Sequence, residues 1–163
     1  LSTDLSEIKD SKELSAKMRE ELYKVVIDNS LAYSIIEVAV SEIDILGLHK
    51  CNIEGMRRAI NALSIKPEYV LTDGYPIPGL TTPNLAVWKG DQVAISISAA
   101  SILAKVYRDN IMVALDKKYP NYGLASHKGY ITASHTAAIK ELGVLPIHRK
   151  SFANIAAIIE VSK

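Results

Sequence analysis

The chain has 163 residues, which is enough for one hydrophobic core and few for two ordinary domains, so we expect a single domain. Hydrophobic residues make up 48% of it and charged residues 23%, which excludes the compositions typical of disordered chains. One cysteine excludes an internal disulfide and a cysteine-based metal centre, and the net charge of +1 neither favours nor excludes a nucleic-acid partner, because a basic face can exist within a nearly neutral total.

The first ten residues, LSTDLSEIKD, are polar and acidic, unlike a secretory signal, and no apolar run approaches the roughly 20 residues that a membrane helix needs. We therefore expect no membrane partner and a cytoplasmic location. Ser15 is a candidate N-cap for a first helix. Apolar residues follow it at helical spacing, namely Met18, Leu22, Val25 and Val26.

The next segments alternate between strand and helix patterns. Residues 31–40, LAYSIIEVAV, are rich in β-branched and aromatic side chains and are predicted to form a strand. A second helix is predicted beyond them and ends before Pro67. Its apolar face is marked by Ile53, Met56, Ile60 and Leu63.

Two short strands are predicted in the middle of the chain. The segment EYVLTDG is typical of a buried strand that ends at Asp73, with Gly74 in the following turn. Residues 85–88, LAVW, predict another strand, and Lys89, Gly90 and Asp91 form its exit. A proline-rich connection joins the two.

The last third of the chain is predicted to be helical. A long apolar face runs from Ala100 to Leu115 and Pro120 ends that helix. Thr132 and Gly143 are typical of the two ends of a further helix, and a last helix begins near Ser151, so the part from about residue 131 to 163 is predicted to be helical. Helices alternating with strands predict an α/β fold. Three strands are few for so many helices, which indicates that sheet partners are missing.

Asp73 and Asp91 each follow a predicted strand, where active groups of α/β proteins tend to lie. Neighbouring strands would bring the two carboxylates together, and a shared divalent cation such as Mg²⁺ or Mn²⁺ is the usual reason for that arrangement. A phosphodiester substrate would fit such a site. The residues alone leave two ordinary interpretations open, because Asp-Gly is a common turn pair and an aspartate ahead of a helix often caps it.

Local patterns along nearly the whole chain, from Asp10 to Phe152, occur in an order that resembles ribonuclease HII, the type II ribonuclease H family. The two most specific are SAASILAKVYRD and SHKGY. The complete series is Asp-Ser-Lys at residues 10–12, ELSAKMREELY, NIEGMRRAINAL, YVLTDGYPIPGL, WKGD, ISAASILAKVYRD, YGLASHKGY and HRKSF.

The resemblance implies a ribonuclease H-like mixed sheet with flanking helices and an endoribonuclease that uses Mn²⁺ or Mg²⁺. Its substrates would be RNA/DNA hybrids and DNA duplexes that contain ribonucleotides, cut by a monomer. Asp73 and Asp91 would be two of four metal-binding carboxylates.

The same resemblance implies substrate contacts by Ser11, Lys12 and Tyr130. Ser11 and Lys12 match a segment near the substrate backbone, where a lysine contacts phosphate as a mobile charge. Tyr130 matches a tyrosine that packs on the ribose at the RNA-to-DNA junction, and the adjacent His127 and Lys128 are candidates for a phosphate contact. His135, in contrast, is most simply a surface or packing residue.

Two parts of the family pattern do not occur in these residues, an adjacent Asp-Glu pair that supplies the other two carboxylates and a Gly-Arg-Gly turn. Because the sequence begins at Leu1 rather than methionine, we expect that segment and the first strands of the sheet upstream. Two other hypotheses remain open. One is an inactive fragment that binds hybrid nucleic acid, and the other is a small-molecule α/β enzyme.

Overall fold

The computed structural model describes residues 14–161, which contain eight helices and two strands. The predicted α/β class is confirmed. In chain order the elements are α1 (Ala16–Asn29), α2 (Val40–Leu46), α3 (Leu48–Asn61), β1 (Val70–Asp73), β2 (Asn84–Val87), α4 (Gly90–Val93), α5 (Ile95–Lys118), α6 (Leu124–His127), α7 (Ala133–Leu142) and α8 (Ala153–Val161).

The described residues divide into two compact units. Unit 1 comprises residues 14–37 and 52–107, and unit 2 comprises residues 38–51 and 108–161. The boundaries fall inside α3 and α5, so each of these helices contributes to both units. The single-domain organisation stays a prediction. Among the described residues, no helix has the length and apolar character required to cross a bilayer.

The core of unit 1 is formed by α1 and the first half of α5. The predicted N-cap is confirmed, since the Ser15 side chain accepts a hydrogen bond from the backbone N–H of Met18 at 3.2 Å. The apolar stripe of α1 packs against α5, and burial of the side chains between them stabilises both helices. The buried residues of this cluster are Leu22, Val26, Ile102, Leu103 and Val106.

The two strands of unit 1 pair in parallel with Val70 opposite Asn84 and Asp73 opposite Val87. Both predicted strands are thus confirmed. Two parallel strands require a connection that runs from the end of the first strand back to the level where the second begins. Residues 74–83 form this connection without a helix. The backbone N–H of Ile77, which is buried in this connection, donates to the Asn84 side chain at 3.2 Å. The carboxyl ends of β1 and β2 therefore lie at one edge of the sheet.

Unit 2 is built around a second apolar cluster. Its buried members are Tyr122, Leu124, Ile139, Ile155 and Ile158. The predicted ends of α7 are confirmed, because the Thr132 side chain accepts from the N–H of His135 at 3.1 Å and Gly143 ends the helix with φ +92°. The Tyr122 hydroxyl reaches the carbonyl oxygens at that helix end, Leu142 at 3.0 Å and Gly143 at 2.9 Å.

The strand predicted for residues 31–40 is wrong. Residues 31–39 have no regular secondary structure, and Val40 begins α2. The segment bonds to helices instead of to a strand: the Ser34 hydroxyl donates to the Ala59 carbonyl of α3, and Glu37 accepts from the Tyr107 hydroxyl of α5 at 2.6 Å. A β-branched composition favours a strand only where a neighbouring strand pairs with it.

Replacing Ile102 by alanine is expected to lower the free energy of unfolding by about 2–5 kcal/mol, because this side chain is 0% exposed and its truncation leaves a cavity. Ile95→Ala in the same helix is the matched control. Ile95 is 54% exposed, so its loss should stay within about 0.5 kcal/mol. Urea unfolding measures both changes. Equal losses would contradict the assignment of Ile102 to the core.

Candidate metal site and tyrosine loop

Asp73 is the last residue of β1 and its side chain is exposed. Its Oδ1 atom accepts a hydrogen bond of 2.9 Å from the backbone N–H of Gly90, the residue that begins α4 beyond the neighbouring strand. The parallel register creates this contact, because it aligns Asp73 with the end of β2. The carboxylate of Asp73 is thereby bonded to the residue that directly precedes Asp91 in the chain.

The turn between β2 and α4 consists of Trp88 and Lys89. Lys89 has left-handed backbone angles, φ 50° and ψ 46°, and Trp88 is 81% exposed. Gly90 is buried, and a Cβ atom there would lie 2.4 Å from Ile97 Cδ1. A side chain at the position whose amide reaches Asp73 would therefore force Ile97 to shift, and the tight turn places Asp91 in the first turn of α4.

Asp91 is buried, with 5% of its surface exposed, whereas Asp73 faces solvent. Carboxylate oxygens are the ligands that Mg²⁺ and Mn²⁺ prefer, so the residue types fit the predicted ions. Within residues 14–161, no group of three or more His, Cys, Asp or Glu side chains is placed to hold a metal. The pair thus supplies part of a ligand set, and the shared cation stays a prediction.

The predicted substrate contacts fall in two regions. Ser11 and Lys12 lie outside the described residues. Lys128 and Tyr130 lie in unit 2, on the segment between α6 and α7, residues 128–132, which we name the tyrosine loop. Lys128 is half-buried with φ 51°, and Tyr130 is 58% exposed. The exposed ring of Tyr130 is available for a contact with a ligand.

Sequence reasoning missed a cluster of three buried histidines beside this loop. His127 and His135 have stacked rings, with centroids 4.0 Å apart, and His135 Nε2 lies 3.2 Å from His148 Nε2. Three of the four histidines of the chain occur within residues 127–148, which is a weak local signal. We refer to His127, His135 and His148 as the histidine network.

The histidine network bonds to the backbone around it. His127 Nε2 lies 2.7 Å from the Tyr122 carbonyl and its Nδ1 accepts from the N–H of Gly129 at 3.1 Å. His127 is also buried, so neither ring nitrogen remains for the phosphate contact that we considered. We had expected His135 to be a surface or a packing residue. It is a packing residue, because it is also buried.

Burial has a direct electrostatic consequence for this network. Desolvation, followed by the nearby charges of His135 and His127, lowers the pKa of His148 from 6.5 to about 4. Desolvation also lowers the pKa of His135. Both rings are therefore neutral at physiological pH.

Tyr130 is contacted by a side chain of α5. The guanidinium carbon of Arg108 lies 5.2 Å from the centroid of the Tyr130 ring, within the range of a cation–π interaction. Arg108 Nη1 is buried, and within the described part of the chain it has no hydrogen-bond partner. Its contact with Tyr130 could not be read from local spacing.

Comparisons with known proteins agree with the order of motifs. A model of the family Ribonuclease HII matches residues 3–155. Ribonuclease HII of Salinispora arenicola is 51% identical over 155 residues, which are 95% of this chain and 58% of that protein. Ribonuclease HII of Mycobacterium ulcerans is 49% identical over 154 residues, 94% of this chain and 64% of that protein. The chain thus spans about three fifths of the length of these curated relatives.

The fold is also similar to a solved structure, the ribonuclease H2 from Pyrococcus horikoshii. The TM-score is 0.84 at 28% sequence identity, and the match covers 97% of this chain and 82% of the archaeal one. The two-stranded parallel sheet and its flanking helices therefore belong to a known arrangement.

Gly90→Ala is expected to lower the free energy of unfolding by about 1–3 kcal/mol, since the added Cβ would overlap Ile97 Cδ1 at 2.4 Å. Ile97→Val removes that methyl group. The loss caused by Gly90→Ala should accordingly be smaller in an Ile97→Val background than in the parent. Urea unfolding of the four proteins gives both differences, and a Gly90→Ala protein as stable as the parent would contradict the close packing.

Stability is expected to fall as the pH is lowered from 6.5 to about 4. In this range the unfolded state binds a proton at His148 that the folded state does not bind, because folding lowers the pKa of this residue. The group contributes a slope of up to about 1.4 kcal/mol per pH unit. Unfolding at several pH values measures it.

The control for this slope is the pair of variants His148→Gln and His49→Gln. The first removes the titrating ring, so its slope should be shallower than that of the parent. The second removes an exposed histidine outside the histidine network and controls for the loss of an imidazole as such. Equal slopes in all three proteins would contradict the lowered pKa of His148 in the folded state.

Proposed function

Because the chain belongs to the ribonuclease HII family, we propose that it acts in metal-dependent hydrolysis of the RNA strand of RNA/DNA hybrids and of ribonucleotides embedded in duplex DNA. The observation that carries the proposal is the hydrogen bond from Gly90 N–H to Asp73 Oδ1. This bond holds the carboxylate of Asp73 next to Gly90, and Gly90 directly precedes Asp91, the second candidate ligand. The cytoplasmic location and the monomeric state stay predictions.

Asp73 and Asp91 would hold the metal ions. When bound, two divalent ions activate a water molecule and stabilise the leaving oxygen in phosphodiester hydrolysis. The exposed carboxylate of Asp73 would meet an ion at the solvent side, while burial of Asp91 would limit the water that competes for its oxygens. The different exposure of the two residues supports a site that opens toward solvent on one side.

Tyr130 would recognise the ribose of the substrate. A flat ring that packs on a ribose distinguishes the step at which a 2′-hydroxyl is present, and Tyr130 offers an exposed ring on the tyrosine loop. Lys128 in the same loop, and Ser11 with Lys12 near the start of the chain, would contact the phosphate backbone. These contacts would position the duplex without reading its sequence.

The second candidate function is binding of hybrid nucleic acid without cleavage. One observation favours it: at the candidate site the described residues offer two carboxylates that could hold a metal, and they contain no group of three or more potential metal ligands. A set with half of its charge binds a divalent ion weakly. The upstream Asp-Glu pair that we expect from the family pattern is what separates the two functions.

Asp73→Asn is expected to lower cleavage by more than about a hundredfold, which exceeds the 10–100-fold typical when a residue that only supports a metal ligand is lost. The substitution is specific, since asparagine keeps the Oδ1 atom that accepts from Gly90 N–H but removes the ligand charge. The control is Asp28→Asn, an exposed aspartate of α1.

The measurement is hydrolysis of a duplex that contains one ribonucleotide, with Mn²⁺ or Mg²⁺, by this chain and by the product of the whole open reading frame that encodes it. Cleavage that requires the ion and is lost in Asp73→Asn supports hydrolysis. Full activity in Asp73→Asn would refute its role as a ligand. Gel shifts without cleavage in both proteins would favour the second function.

A further inference from the structure

Both backbone polar groups of Tyr130 are bonded to members of the histidine network. Its N–H donates to the carbonyl of His127 at 2.8 Å, and its carbonyl lies 3.0 Å from His135 Nδ1. Tyr130 itself is 58% exposed, so its side chain extends into solvent from a hydrogen-bonded backbone. An exposed side chain is thus carried on a fixed main chain.

The hydrogen bonds determine where each proton of the network lies. The N–H of Leu145 donates to His148 Nδ1 at 2.8 Å, so Nδ1 carries no proton and the proton of the neutral ring is on Nε2. His148 Nε2–H then donates to His135 Nε2. The remaining proton of His135 lies on Nδ1 and is donated to the Tyr130 carbonyl, which can only accept. One continuous series of donors therefore ends at Tyr130.

His127 closes the other side of the tyrosine loop. Its Nδ1 accepts from Gly129 N–H, so its proton is on Nε2 and is donated to the Tyr122 carbonyl. Between these anchors Lys128 adopts φ 51°, a left-handed conformation that costs roughly 1–2 kcal/mol for a residue with a Cβ. The bonds from His127 offset this cost and keep the unusual turn in place.

The ring of Tyr130 is also held from α5. A Cβ atom at Gly129 would lie 3.0 Å from Met112 Cε and 3.4 Å from Arg108 Nη2, so the loop runs directly against this helix. The guanidinium of Arg108 lies over the ring. These contacts restrict the side chain while the histidines restrict the backbone.

We propose that His127, His135 and His148 are positioning residues that orient Tyr130 for the ribose of the substrate. The inference rests on the proposed function and deepens it, since it assigns the precision of sugar recognition to a buried network that does not touch the substrate. Three imidazoles are costly to bury unless every nitrogen is satisfied, and here each of the six ring nitrogens has a partner. An apolar cluster would fill the same volume without fixing the direction of the Tyr130 carbonyl.

The first test is made on the unaltered chain. Long-range ¹H–¹⁵N NMR spectra of the imidazoles at neutral pH should show the proton on Nε2 of His127 and His148 and on Nδ1 of His135. Any other assignment, or a charged imidazole in the network, would overturn the proposed series of donors. This measurement requires neither substrate nor metal, so it is independent of activity.

The second test compares two substitutions of one residue. In His135→Asn the amide nitrogen lies near the former Nδ1 and can still donate to Tyr130, whereas His135→Gln places its amide near the former Nε2 and loses that bond. We expect His135→Gln to lower kcat/KM on the single-ribonucleotide duplex about tenfold, on the scale of one lost hydrogen bond, and His135→Asn to keep most of it. Thermal unfolding of both variants controls for general damage.

The third comparison separates positioning from general structural support. If His135 acts through Tyr130, then His135→Gln should cause no further loss of kcat/KM in a Tyr130→Ala background. Independent losses in the two variants would overturn the proposal, as would equal activity of His135→Asn and His135→Gln.

A failure of the proposed function would look different. In that case no protein would cleave, yet His135→Gln should still shift the NMR signals of the Tyr130 amide and ring, and His135→Asn should shift them less. Unchanged Tyr130 signals in His135→Gln would overturn the inference whether or not the protein is active.

Discussion

The candidate metal site depends on one constraint, the parallel pairing of two four-residue strands in a register that sets Asp73 against the end of β2. That register brings the Gly90 amide to the Asp73 carboxylate, and Gly90, at the start of α4, lies close to the Ile97 side chain. A shift by one residue would turn Asp73 to the other face of the sheet. The position of Asp91 follows from the same contacts, because it is the next residue.

Local features of the fold could be predicted from the sequence because their causes are local. Ser15 and Thr132 cap helices through bonds to amides three residues away, and the strand that ends at Asp73 is short, apolar and followed by glycine. The error at residues 31–40 has the opposite origin. A strand depends on a distant partner, and the described neighbours of Ser34 and Glu37 are helices. Composition alone does not contain that information.

The candidate site shows the same division. Asp73, Asp91 and Tyr130 were identified from motif order, which a sequence displays directly. The histidine network was missed because its members become neighbours only when α7 and the segment after it pack beside α6, bringing His135 next to both other rings. Apart from the candidate phosphate contact of His127, the sequence predicted no site for these residues. Their hydrogen bonds to backbone groups depend on burial, which is a tertiary property.

The single tryptophan of the chain stands at the beginning of the turn that leads to Asp91, and most of its indole is in water. Its emission therefore reports from one known place. Unfolding changes the solvent around this ring little, so fluorescence would be a poor monitor of global denaturation. The same property makes it an optical probe of a duplex that covers the end of β2, since such a ligand would exclude solvent from the indole.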